Sequence, residues 1–135
     1  MCLQCFLLSP AALVPGQVQN LRSTLDTNIP SLTLNWNKPS NVKTVEELTA
    51  YDIYFRPAAS WWRKDYYKMT VDSPATSVLI TRENGLNPLT TYDFEVRARN
   101  NNCEGEWSKI SKYIGTLIHH LTSSVLLMIK IQTEE

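Results

Sequence analysis

Apolar and polar residues alternate with a period near two through the middle of the chain, and turn-forming residues recur every dozen or so positions. In "SLTLNW" (31–36), Leu32, Leu34 and Trp36 fall on one side and Thr33 and Asn35 on the other, before Pro39 stops the ladder. "YDIYFR" (51–56) sets Tyr51, Ile53 and Phe55 against Asp52, Tyr54 and Arg56. "YDFEVRARN" (92–100) is the clearest case, with Tyr92, Phe94, Val96 and Ala98 opposite Asp93, Glu95, Arg97 and Arg99. Weaker candidates are 17–25, 65–71, 76–81 and 109–116, which makes seven strands, with no internal repeat and no internal helix beyond a turn within Ser40–Ala50. Half-buried alternating strands of this kind bury one face each and must pack as an antiparallel sandwich or barrel. The expected core is Leu32, Leu34, Trp36, Ile53, Phe94 and Val96.

Several separate elements then resemble the fibronectin type III family. "LNPLTTYDFEVRARN" is similar to that family's Leu-x-Pro-x-Thr-x-Tyr segment and following strand, with Leu86, Pro88, Thr90 and Tyr92 in place. "VPGQVQNL" resembles the family's opening, Trp36 its buried second-strand tryptophan, Tyr51 the start of its third strand, and Gly105 with Ser108 its last hairpin. The resemblance spans residues 14–116 and implies an all-β, seven-stranded antiparallel immunoglobulin-like sandwich. Within it Trp36, Leu86, Pro88 and Tyr92 are structural, Tyr92 returning its hydroxyl to backbone near the Leu86 turn. "TRENGLN" departs from the pattern, Arg82 to Asn84 lengthening the link after the fifth strand.

The ends read differently. Residues 1–13 form an apolar leader, with a signal peptide and a disordered terminus both open. Residues 117–135 form a tail, helical or disordered, whose apolar run is shorter than the ~20 residues of a spanning helix. Cys2, Cys5 and Cys103 have no framework spacing, so disulfides are not expected to define the fold, and whether Cys103 is free stays open.

Composition and chemistry argue against catalysis. Thirteen basic and thirteen acidic residues leave no net field to attract nucleic acid. The histidines, His119 and His120, sit in the tail, so the domain offers no structured imidazole base. "CLQC" lacks a second half-site, four glycines make no phosphate loop, and Glu46 with Glu47 reads as a solvated pair. No catalytic residue, cofactor or metal is expected.

Recognition is therefore sought on the surface. The resemblance makes the third and sixth strands antiparallel neighbours, their outward residues being Asp52, Tyr54, Arg56 and Asp93, Glu95, Arg97, Arg99. Pairing then brings Asp52 toward Arg97 or Arg99, Arg56 toward Asp93 or Glu95, and Tyr54 beside an arginine, as exposed pairs worth ~0.2–1 kcal/mol each. Trp107, in "EGEWSKIS", adjoins that face. With "VRAR" it resembles a degenerate Trp-Ser-x-Trp-Ser element of class I cytokine receptors, Ile110 standing for the second tryptophan. The outward set is thus Tyr54, Arg56, Arg97, Arg99 and Trp107. A second candidate is "WWRKDYY", where Trp61, Trp62, Arg63, Lys64, Tyr66 and Tyr67 have the composition of an interface centre; capping of the domain's own edge is the alternative.

The resemblance implies a non-catalytic protein–protein interaction module of a cell-surface receptor or adhesion protein, extracellular, with receptor, adhesion or matrix domains as partners. A membrane would enter only through a longer protein, and no small-molecule substrate is implied. The alternatives are a structural spacer in an intracellular filament protein or multidomain enzyme, and a cytokine-receptor-like ligand-binding module.

Overall fold

The computed structural model describes residues 13–26, 30–59 and 66–115. Seven strands follow in order: β1 (Gln19–Asp26), β2 (Ser31–Asn37), β3 (Ala50–Pro57), β4 (Tyr67–Asp72), β5 (Ser77–Ile80), β6 (Thr91–Arg99) and β7 (Ser108–Tyr113). They form two antiparallel sheets, β1-β2-β5 and β4-β3-β6-β7. The expected immunoglobulin-like sandwich is the observed fold. Strand limits move by one to three residues: β1 starts at Gln19 and β7 covers Ser108–Tyr113. Early in β1 the register to β2 shifts between Gln19 and Arg22, and Asn20 there takes a φ of 52°. Such a bulge adds a residue that simple alternation does not count.

The inward set follows the period-two reading. Leu32, Leu34, Ile53, Phe94 and Val96 are fully buried and Trp36 nearly so, joined by Tyr51, Phe55, Ile80, Leu86 and Tyr92. Aromatic rings pack against one another within the core: Trp36 meets Tyr51 at 5.2 Å, and Phe55 meets Tyr92 at 5.9 Å and Phe94 at 5.5 Å. Close-packed rings of this size supply most of the driving force for closing two sheets. Tyr92 closes the corner as expected. Its hydroxyl donates to the Gly85 carbonyl at 3.2 Å and accepts the Asn87 N–H at 2.8 Å.

Among the described residues the links hold two single turns of 3-10 helix, Val45–Glu47 and Arg82–Asn84. The second is the inserted stretch of "TRENGLN". Thr81 and Asn84 form a reciprocal capping box, and Gly85 follows at φ 108°. A Cβ on Gly85 would lie 2.5 Å from the Tyr67 ring, so glycine is required there by conformation and by contact. Cys103, undecided from spacing, is disulfide-bonded; the other half of the bond lies outside the described residues. Residues 1–12 of the leader and the whole tail, with His119 and His120, also lie outside them.

Two core groups break the usual rule that buried polar atoms are paired. Trp36 Nε1 and Tyr51 Oη are buried without a hydrogen-bond partner among the described residues. Burial pushes the Tyr51 phenol above its ordinary value of 10.0; the nearby Trp36 N–H opposes that rise but stays outside hydrogen-bonding geometry. Removing an unpaired buried hydroxyl leaves no partner stranded. Tyr51→Phe is therefore expected to hold stability or raise it by up to about 1 kcal/mol in urea melts at neutral pH. The folded phenol resists ionising, so its share of stability is present below pH 10 and is lost as pH rises further. The Phe variant should lack that alkaline component. A neutral-pH loss above about 1 kcal/mol would show that the hydroxyl is satisfied.

Candidate functional site: an aromatic and cationic ladder on the four-stranded sheet

The outward side of β4-β3-β6-β7 is organised by register. Asp52 pairs with Thr70 on β4 and Arg97 on β6, Tyr54 with Lys68 and Glu95, and Arg56 with Asp93. Lys109 and Ser111 of β7 continue these rows opposite Glu95 and Asp93. Cross-strand neighbours of this kind are close enough for long side chains to stack and pair.

The rings and cations form a continuous ladder. The Arg56 guanidinium lies 4.6 Å from the Tyr66 ring centre, Tyr66 lies 5.6 Å from Tyr54, and Tyr54 lies 4.6 Å from Trp107. Arg97 ends the series 4.5 Å over Trp107 and 5.9 Å from Tyr54, while the Lys68 ammonium sits 5.3 Å from Tyr54. These are cation–π distances. Tyr54, Tyr66 and Trp107 are each only half-buried, so the ladder keeps one side open. Trp107 is fixed from behind: its carbonyl accepts the Gln17 side-chain amide at 2.9 Å, and the adjacent Ser108 hydroxyl donates to the Val18 carbonyl at 3.1 Å.

Charge fixes the ladder's other end. Asp52 accepts from Arg97 Nε at 3.0 Å, from Arg99 Nε at 3.1 Å and from the Thr70 hydroxyl at 3.3 Å. Arg97 Nη1 also meets Glu104 at 3.1 Å. The complementary order expected from sequence is present, but Asp52 corrects its energetics. The residue is only 7% exposed, with two arginine guanidinium groups set against its carboxylate. It is a shielded anchor, not a solvated pair. Lys109 to Asp93, at 3.4 Å with a half-exposed lysine, keeps the weak surface character expected of the whole face.

The structure splits the second candidate stretch. Trp61, Trp62, Arg63 and Lys64 lie outside the described residues. Tyr66 joins the ladder. Tyr67 does not: one residue later it points to the other face, stacks on Phe55 at 5.0 Å and covers Gly85. Lys68 and Glu104, which no motif singled out, belong to the face.

A groove of about 470 Å³ opens at one pole, between the β2–β3 and β6–β7 links, with Asn41, Glu47, Thr49 and Asn100 among its lining. Two of its amides are engaged in fastening backbone: Asn41 holds Val14 and Gly16, and Asn100 holds Leu13, Asn102 and Cys103. The groove is thus built around the incoming N-terminal segment.

Stacking of Trp107 on Arg97 predicts a measurable coupling. A double-mutant cycle of Trp107→Ala and Arg97→Ala, read by chemical denaturation, should give about 0.5–1 kcal/mol. Additive effects would mean that ring and guanidinium act separately.

Over residues 16–113 the sequence matches the family model of the fibronectin type III domain. No curated protein matches it. Among solved structures it is similar to the FN5 domain of Drosophila Lar, at 23% identity over 76% of this chain and 99% of that one, with a TM-score of 0.59. It is similar to a computationally redesigned β-sandwich protein, at 22% identity over 82% and 98%, TM-score 0.59. The FN1–FN3 domains of chicken CNTN1 align at 17% identity over 74% of this chain and 32% of that one, TM-score 0.60. At these identities the likeness concerns the fold.

Proposed function

The chain belongs to the fibronectin type III family, and from that premise we propose that it is a non-catalytic protein-binding module of a cell-surface receptor or adhesion protein, working through the ladder face. One observation carries the reading. The core holds its own aromatic series, yet Tyr54, Tyr66 and Trp107 form a second series outside it, half-exposed and bordered by Arg56, Lys68 and Arg97. Rigid tyrosine, tryptophan and arginine side chains are the types that dominate binding energy at protein interfaces. Their mutual stacking fixes them before a partner arrives, which lowers the entropy cost of association. The disulfide at Cys103 supports an oxidising, extracellular setting. The partner class that fits is another receptor, adhesion or matrix domain.

The reading is tested by screening the multimerised chain against extracellular-domain arrays beside a Tyr54→Ser, Tyr66→Ser variant. Binding that weakens by about 30-fold or more in the variant, with folding intact, is expected. Partners held equally by both proteins would place recognition elsewhere and favour the spacer reading for this face.

A further inference from the structure

We propose that the outer edge of β4 pairs with the same strand of a second copy, joining two four-stranded sheets into one of eight. Among the described residues the edge is open: in the order β4-β3-β6-β7, β4 has a strand neighbour on one side only. The Ser73 N–H donates to the Thr49 carbonyl at 3.1 Å, which extends the β3–β4 ladder and sets its phase. Antiparallel alternation then turns the backbone groups of Val71, Met69 and Tyr67 toward β3, and those of Lys68, Thr70 and Asp72 toward the open edge.

The sequence of that edge complements itself. Setting Thr70 opposite Thr70 of the second copy places Lys68 opposite Asp72 twice, and Met69 opposite Val71 twice. The first pairs lie on the outward face and join opposite charges. The second lie on the inward side, where Met69 and Val71 are half-buried against the core, so pairing would extend the apolar layer. Every residue that aims its backbone at the edge meets one that does the same. The Asp72 carbonyl already accepts the Ala75 N–H at 3.2 Å and would share that role. Sliding the register by two residues one way sets Lys68 against Thr70. Sliding it the other way sets Lys68 against Pro74, which has no N–H. Only the centred register satisfies charge, burial and backbone together.

The other edges suit this less. β5 has four residues. β1 carries the bulge at Asn20, and β1 and β7 are tied to each other's flanks through Val18 with Ser108 and Gln17 with Trp107. An edge-to-edge contact buries little surface, so association is weak and concentration-dependent.

Sedimentation velocity of the full chain up to about 1 mM tests the proposal, with variants that rewrite the charge pattern. Lys68→Asp alone and Asp72→Lys alone each set like charges opposite one another, and each should raise the dissociation constant on the order of tenfold. An equimolar mixture of the two restores opposite charges in a heterodimer and should associate as the parent does. The chain carrying both substitutions restores them in a homodimer and should do the same. Hydrogen exchange supplies a positional readout: amides of Lys68, Thr70 and Asp72 should gain protection with concentration, while those of Met69 and Val71, already bonded to β3, should not. A monomer throughout the range, association indifferent to the single variants, or no recovery in the mixture and the double variant would each overturn the proposal.

Discussion

Trp36→Ala is expected to lower the unfolding free energy by about 3–5 kcal/mol, because the ring is removed from a close-packed site whose neighbours cannot collapse into the space. Trp36 is almost wholly buried between the sheets and packs against Tyr51 at 5.2 Å. A loss of that size approaches the whole stability of a domain this small, so the variant should be largely unfolded under conditions where the parent is native. Urea denaturation followed by circular dichroism reads the difference. A variant that melts like its parent would contradict the placement of β2 in the core.

Asp52→Ala is expected to cost on the order of 2–3 kcal/mol. Removing the carboxylate leaves Arg97 and Arg99, and the Thr70 hydroxyl, without their shared acceptor in a largely shielded site. Breaking a fully buried pair costs more, about 3–5 kcal/mol. Here Arg99 is one-third exposed and Arg97 keeps Glu104, so solvent and a second carboxylate take up part of the loss. The comparison variant is Glu104→Ala. Its half-exposed carboxylate should contribute less than about 1 kcal/mol. Equal losses for the two substitutions would mean that Asp52 is no more than another surface charge.

That contrast marks where the sequence was legible. Alternation with period two identifies the inward residues of β2, β3 and β6 without ambiguity, since every second side chain must share a face. It also puts Asp52 in a row with Arg97 and Arg99. Alternation carries no information about how deep the row lies. Depth goes with two arginines spaced by two residues on β6, both bringing their Nε to one carboxylate. The stretch "WWRKDYY" shows the converse difficulty. Its composition suggests one surface, but Tyr66, the residue before β4, and Tyr67, the first residue of β4, go to opposite faces. Composition averages over a window; the strand period divides it.

Other features escape for reasons of length. A single 3-10 turn such as Arg82–Asn84 is too short to show a helical period, although Thr81, Asn84 and Gly85 carry the cap chemistry that marks it. The disulfide at Cys103 is invisible to spacing, because three cysteines allow more than one pairing and only the folded chain chooses. The ladder was partly legible, with Tyr54, Trp107, Arg56 and Arg97 read from their strands. Lys68 and Tyr66 join it because β4 pairs beside β3, which is a fact of topology.

Chemical-shift mapping tests whether the ladder face binds a protein partner. With a partner recovered from the extracellular-domain screen, the predicted result is a cluster of perturbed signals at Tyr54, Tyr66, Arg97 and the Trp107 indole N–H, with the Trp36 indole unmoved inside the core. Perturbations confined to the Asn41 and Asn100 pole, or to the β1-β2-β5 sheet, would contradict it.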